Sequence, residues 1–177
     1  MSDLIATLHS SESNEWYTPK RYLDMVREVF GGAIDLDPCS SEMANTTVRA
    51  TTYYTKTQNS LNRTWYARNV FMNPPYGKSN GKSQAGIFCA YMIEQFAQGY
   101  FQEGIILVNS CTGAKWFRHL FRHPICFVDH RIRFDVPPGA TKKIQPTKDN
   151  VFVYMGPLYS RFKRTFGEIG EVVFPLT

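Results

Sequence analysis

The chain lacks the features that mark several large classes of protein. No apolar run approaches the ~20 residues that span a bilayer, and residues 1–13 lack the basic-then-apolar layout of a secretory signal. A cytoplasmic protein without membrane contact is therefore expected. The four cysteines, Cys39, Cys89, Cys111 and Cys126, include no CxxC pair, which argues against a structural zinc site or a redox pair and for buried free thiols. Among the four histidines, His119 and His123 stand at i,i+4 spacing, but no third ligand accompanies them, so a solvated helix end is expected rather than a metal site. A glycine-rich turn after the first strand is also missing. Ser40 and Ser41 stand where those glycines would be, which argues against dinucleotide-dependent dehydrogenase chemistry. There is no internal repeat and no low-complexity linker.

What remains is a chain able to bury a real core. Its 177 residues are 43% hydrophobic and 15% aromatic, which excludes a disordered protein. The formal net charge of +5 suits a polyanionic partner without requiring one. Residues 1–13 read as a loose leader and 14–177 as a single domain without a separate target-recognition domain.

The periodicity predicts a helix over Pro19 to Phe30, with Thr18 as N-cap, Pro19 at the first helical position and Gly31-Gly32 as the stop. Strands are predicted at Ala33 to Asp37, Val70 to Met72, Gly104 to Asn109, Ile125 to Val128, Ile132 to Val136, Val151 to Met155 and Val172 to Phe174. A β-rich patch lies at Val48 to Thr55 within a mixed polar stretch, 40–67. Helices are predicted at Ala85 to Gln98 and Ala114 to Phe121, and Gly77 to Ser83 reads as a flexible basic loop. Strands alternating with helices predict an α/β fold, a mostly parallel sheet with helices on both faces.

Phe71-Met72-Asn73-Pro74-Pro75-Tyr76-Gly77 is the most informative stretch. Two prolines end the preceding strand, because neither has an N–H and both fix φ near −65°. The result is a rigid turn at the carboxyl end of a strand, the edge where open α/β sheets bind ligands. An exocyclic amine on a flat base is a poor nucleophile, since its lone pair is delocalised into the ring. Asn73 Oδ1 and the Pro74 carbonyl can each accept one N–H of such an amine and favour a pyramidal nitrogen with its lone pair aimed at an electrophile. Tyr76 can stack on the base. The competing reading is a proline-rich loop whose Asn caps a helix and whose Tyr covers a core edge.

Asp37 closes the first strand in Asp37-Pro38-Cys39-Ser40 and suits an amino group or ribose hydroxyls; alone, it reads equally as a turn-forming acid. Glu15-Trp16-Tyr17-Thr18-Pro19 offers a tryptophan beside a helix start, which alone reads as a hydrophobic staple. Together these stretches, with Asn45, Tyr53-Tyr54-Thr55, Leu61, Trp65 and the Asn73 to Gly77 turn, resemble the phage-type DNA N6-adenine methyltransferases. The resemblance continues through Ile106 to Val108, Thr112, Trp116-Phe117, Arg131-Ile132-Arg133-Phe134, Pro137-Pro138-Gly139, Pro146 and Val151 to Val153, and so covers roughly residues 14–156. Where that family often has Asp-Gly-Leu, this chain has Asn59-Ser60-Leu61.

The resemblance implies a Rossmann-like methyltransferase fold, S-adenosylmethionine as cofactor, adenine in double-stranded DNA as substrate, base flipping, and no metal. By position, Trp16, Thr18, Pro19, Asp37, Pro38 and Cys39 would bind cofactor, with Asp35 an alternative to Asp37. Asn73, Pro74, Pro75 and Tyr76 would carry catalysis. For a phage protein the compartment would be the host cytoplasm. Target reading would fall to loops 77–86 and 137–149. Arg131, Arg133, Lys142, Lys143, Arg161, Lys163 and Arg164 are candidates for phosphate contact. The alternatives are a methyltransferase of the same fold acting on RNA or protein glutamine, and a catalytically inactive DNA-binding module.

Overall fold

Apolar side chains at helical spacing from Tyr22 to Phe30 call for a helix with one buried face. The computed structural model, which describes residues 16–135 and 148–175, contains it as α1 (Lys20–Phe30), burying Tyr22, Leu23, Met25, Val26, Val29 and Phe30. Gly31 ends it in the left-handed region, at φ 83°. The start differs from expectation. Pro19 is the cap residue, in extended backbone, and no side chain caps the helix. The Thr18 hydroxyl is committed elsewhere, because a stronger claim on it comes from the site below.

The remaining elements are β1 (Ile34–Asp37), α2 (Glu42–Val48), β2 (Ala50–Tyr53), β3 (Asn69–Met72), a two-residue hairpin β4 (Lys78–Ser79) and β5 (Lys82–Ser83), α3 (Gln84–Ala97), β6 (Glu103–Asn109), β7 (Ile125–Val128), β8 (Asn150–Met155), α4 (Tyr159–Phe166) and β9 (Gly170–Val173). Seven strands form one sheet in the order β2-β1-β3-β6-β8-β7-β9. β2, β1, β3 and β6 pair in parallel, whereas β8 pairs antiparallel with both β6 and β7, and β9 pairs antiparallel with β7. Five strands thus run one way and β8 and β9 run against them. The fold is α/β with a mostly parallel sheet, as expected, and the two reversed strands both lie in one half of it.

The two-residue period of the strands divides the core into two layers. Phe71, Ile105, Leu107, Phe152 and Tyr154 face α1 and α4, together with Val48 of α2. Val70, Met72, Ile106, Val108, Val151 and Val153 face the other way, against Cys89 and Met92 of α3, Trp65, Phe117 and Leu120. From β1 the chain crosses to β2 on one side and then returns past β1 to β3 on the other. The carboxyl ends of β1 and β3 therefore flank a topological switch point, where a crevice opens in such sheets.

Several expectations need correction. Helix α2 falls in the stretch read as mixed and polar. It is short, buries only Val48, and is set by its ends: Ser41 Oγ accepts from Ala44 N–H at 3.1 Å. Helix α4 has no counterpart among the predicted elements. The segment expected as α-helix at 114–121 is a 3-10 helix, Lys115–Arg122; its buried residues Phe117 and Leu120 lie three apart, which suits a three-residue turn. The basic loop after the proline turn is the β4–β5 hairpin. The expected strand at 132–136 does not form over its described part. Asp135 makes only a bridge to Tyr17, with N···O distances of 3.0 and 2.9 Å, and Val136 lies outside the described residues.

Trp65 ties the stretch before β3 to α3. It is fully buried, its backbone N–H donates to Gln95 Oε1 at 2.9 Å, and its indole Nε1–H donates to the Ser60 carbonyl at 3.0 Å. Trp65→Ala is expected to cost ~3–5 kcal/mol, and Trp65→Phe, which removes one of the two hydrogen bonds that the Ser60 carbonyl accepts and leaves that from Arg63 N–H, ~0.5–1.5 kcal/mol. Urea denaturation followed by circular dichroism checks both values and their order.

Candidate active site

The proline turn leaves β3 at the carboxyl edge. Pro74 is buried, and Gly77, at φ 95°, takes the backbone through a region that side chains with a Cβ rarely adopt. The start of α3 then fastens the turn. Gln84 N–H donates to the Gly77 carbonyl at 3.0 Å, Gln84 Nε2 to the Tyr76 carbonyl at 3.4 Å, and Ser83 Oγ caps the helix by accepting from Gly86 N–H. Residues Asn73 to Tyr76 are thus held at both ends.

Asn73 is oriented by the chain before α1. Its Nδ2 donates to the Trp16 carbonyl at 3.0 Å and to Thr18 Oγ1 at 3.2 Å. A carbonyl can only accept, so the amide nitrogen must face this segment and Oδ1 must face away. Tyr76 O–H donates to Oδ1 at 3.3 Å, leaving a second lone pair for an incoming N–H. Among the described residues none donates to the Pro74 carbonyl. Asn73 Oδ1 and the Pro74 carbonyl therefore stand in one turn that is fastened at both ends.

Asp37 lies on the neighbouring strand at the same edge. Leu36 pairs with Val70, so Asp37 is level with Phe71, one strand away from the start of the turn. It is 3% exposed, and its Oδ1 accepts from Cys39 N–H at 3.0 Å. Burial pushes its pKa up to about 7, against the opposing effect of the Cys39 N–H. Ser40 Oγ is itself buried and has no partner at hydrogen-bond geometry. Asp37 has no cationic partner among the described residues. A buried acid with spare acceptor capacity beside an unpartnered hydroxyl suits a ligand that donates N–H or O–H groups. Burial, then Asp37 and Cys89, pushes the Cys39 thiol up, and burial likewise raises Tyr76 and Cys89.

Asp35 is at the opposite end of β1 and is occupied. Its carboxylate accepts from Arg68 N–H at 3.0 Å, and its own N–H donates to Asn69 Oδ1. Asn59 is exposed and adopts the left-handed conformation, φ 43°, between two 3-10 turns. Its side chain type answers a backbone need at that position.

The candidate phosphate contacts separate into two groups. Lys78 and Lys82 are exposed on the hairpin that follows the turn, and Arg131 and Arg133 are exposed beside Phe134, whose ring meets Trp16 edge-on at 6.1 Å. Arg161 and Arg164 lie at the far edge. Arg161 Nη1 donates to the Val29 carbonyl in the last turn of α1, and Arg164 pairs with Glu28. Lys163 lies over the Phe174 ring. Lys142, Lys143, Pro137 to Gly139 and Pro146 lie outside the described residues, as do Glu15 and residues 1–13. The sequence reading missed a further polar pair at the site edge: Asn150, 1% exposed, donates to Asn109 Oδ1 at 3.1 Å, and an Asn at the start of a strand carries no distinguishing signal.

Residues 6–171 match the family model described as DNA N-6-adenine-methyltransferase (Dam). The chain is also similar to the DNA N-6-adenine-methyltransferase of Haemophilus phage HP1, with 24% identity over 169 residues that cover 92% of this chain and 91% of that relative. Among the described residues, no cluster of three or more His, Cys, Asp and Glu side chains is placed to hold a metal, and no helix is long and apolar enough to cross a membrane.

The raised pKa of Asp37 makes its contribution to stability depend on pH. From about pH 4 to about 7 the folded protein keeps a proton that the unfolded chain gives up, so folding is favoured at the acid end of that window and disfavoured as pH rises through it. Relative to Asp37→Asn, the wild type is expected to lose at most ~1.4 kcal/mol per pH unit across the window and to level off outside it. Paired denaturant titrations at several pH values check the slope; a flat difference would place the proton elsewhere.

Proposed function

The chain belongs to the DNA N-6-adenine-methyltransferase family, and from that premise we propose that the crevice between β1 and the Asn73 to Tyr76 turn is where it methylates adenine N6. The chain is thus an enzyme of DNA methylation. The observation that carries the placement is the Asn73 amide, whose nitrogen is fixed on the Trp16 carbonyl and Thr18 so that its oxygen is turned outward.

In this reading Asn73 Oδ1 and the Pro74 carbonyl accept the two N–H bonds of the adenine amine. As the nitrogen turns pyramidal and gains positive charge, both acceptors strengthen their hold. They are already in place, so little reorganisation opposes the step. Pro75 keeps the turn rigid, and the Tyr76 ring stacks on the base. The target adenine leaves a double-stranded helix to reach a turn set at the sheet edge, which makes base flipping part of the proposal. The N6 proton is lost to solvent after transfer.

S-adenosylmethionine is the methyl donor we assign, and when bound it supplies the methyl group as an electrophile on a sulfonium. The Asp37 carboxylate and the unpartnered Ser40 hydroxyl fit its donor groups. Trp16, Thr18, Pro19, Pro38 and Cys39 complete the wall of the same pocket, in what we read as a Rossmann-like methyltransferase fold. Residues 14–177 would act as one domain on DNA in the cytoplasm, with the β4–β5 hairpin and residues 137–149 reading the target. Incubating the protein with labelled cofactor and unmethylated DNA, then sequencing for N6-methyladenine, tests the reading as a whole.

Asn73→Ala is expected to lower methyl transfer by ~10²-fold or more while S-adenosylhomocysteine affinity stays within a few-fold, because the amide serves the amine and not the cofactor. Single-turnover kinetics beside calorimetry separates the two effects. Changing both Lys78 and Lys82 to alanine is expected to flatten the slope of log DNA affinity against log salt by up to about two units, at ~0.9 for each phosphate no longer neutralised. An unchanged slope would move phosphate binding to Arg131, Arg133 and the cations of residues 137–149.

A further inference from the structure

Thr18 is 5% exposed, and its hydroxyl accepts from Asn73 Nδ2 at 3.2 Å. The residue stands where a threonine would ordinarily cap α1, yet no side chain caps that helix and Pro19 takes the cap position. The hydroxyl is therefore not spent on the helix. It meets the one side chain whose orientation decides whether an oxygen or a nitrogen faces the crevice.

We infer that Thr18 is a positioning residue for Asn73. With the Trp16 carbonyl it holds both hydrogens of the Asn73 amide and so fixes the direction of Oδ1. The inference rests on the proposed role of Asn73. The two acceptors do different work. The Trp16 carbonyl, which can only accept, selects which end of the amide faces inward. The Thr18 hydroxyl, on the second hydrogen, stops the amide plane from rocking about that single bond. Rocking would swing Oδ1 off the line to the amine and lower turnover without changing what binds the cofactor. The segment can serve as a fixed support because Tyr17 is bridged to Asp135 in both directions, at 3.0 and 2.9 Å, and the Trp16 ring meets Phe134. The opposing possibility is that the Thr18 hydroxyl belongs to the cofactor.

Thr18→Val keeps the shape and removes the hydroxyl; Thr18→Ser keeps the hydroxyl. Thr18→Val is expected to lower kcat at saturating cofactor and DNA by about 5- to 50-fold, the range for leaving one buried donor unpaired, with a smaller change in S-adenosylhomocysteine affinity by calorimetry, since valine keeps the shape of the pocket wall. Thr18→Ser is expected to recover most of the loss. In an Asn73→Ala background, Thr18→Val should cost less than about twofold further, since a residue acting through Asn73 has nothing left to position. The Asn73 side-chain amide signals in nitrogen-15 NMR should shift in Thr18→Val and return in Thr18→Ser; this readout needs no turnover. Unchanged kcat, an equal loss in both backgrounds, unmoved Asn73 signals, or a loss confined to S-adenosylhomocysteine affinity would each overturn the inference. Should Thr18→Val fail to fold, Thr18→Ala removes the same hydroxyl with less bulk and carries the same comparisons. A wild-type protein inactive on adenine DNA would count against the functional reading, and the NMR comparison would then decide the positioning role by itself.

Discussion

The hydrogen bond from Asn73 Nδ2 to the Trp16 carbonyl is the constraint on which the candidate site depends. It joins residues 57 apart in sequence, and its chemistry permits one orientation of the amide only. Three stretches of chain must be in place before it can form. The Asn73 to Tyr76 turn is held by the start of α3, Trp16 to Thr18 is fixed ahead of α1, and Asp135 braces that segment through the bridge to Tyr17. The arrangement of the site is therefore a product of the whole fold, even though its most conspicuous residues are contiguous.

Sheet topology explains why those stretches meet. The chain leaves β1 toward β2 on one side and leaves β3 toward β6 on the other, which opens a crevice above β1 and β3, and the parallel register brings Asp37 and the turn to the same edge of the sheet on neighbouring strands. The antiparallel half contributes differently. Because β8 runs against β6, its first residue, Asn150, comes to the same edge and pairs with Asn109. An all-parallel sheet would have put the end of that strand there. The mixed sheet thus adds buried amide groups to one rim of the crevice that a parallel arrangement would have supplied from other residues.

The parts legible in the sequence were those with strong local physics. The α1 face, the buried strands and the proline turn follow from periodicity and from the two missing N–H groups. The site edge follows from the position of Asn73 and Asp37 at strand ends. What escaped was set by distant partners or weak signals. Helix α2 has one buried residue, so periodicity had nothing to register. Strand directions β8 and β9 depend on which neighbour each finds. Thr18 preceding Pro19 has every local mark of a cap. Only the fold shows that Asn73 claims its hydroxyl, and a local rule failing beside a candidate site is where such a conflict is expected.

Charge is divided by the fold in a way composition conceals. A net charge of +5 says nothing of where the cations lie. Arg161 and Arg164 serve the carbonyl end of α1, where a guanidinium satisfies backbone acceptors that the helix leaves unpaired. That end adjoins the start of β1, so these cations stand at the edge opposite Asn73. Among the described residues, exposed cations near the site edge include Lys78 and Lys82 on the hairpin and Arg131 and Arg133 beside Phe134, whose ring meets Trp16. Of these Arg131 is already shared with Asp149 at 3.4 Å, a contact between exposed groups that a phosphate can displace at small cost. In the proposed reading, a duplex laid across this edge would meet these cations with its backbone phosphates and bring an out-of-helix adenine over the Asn73 turn.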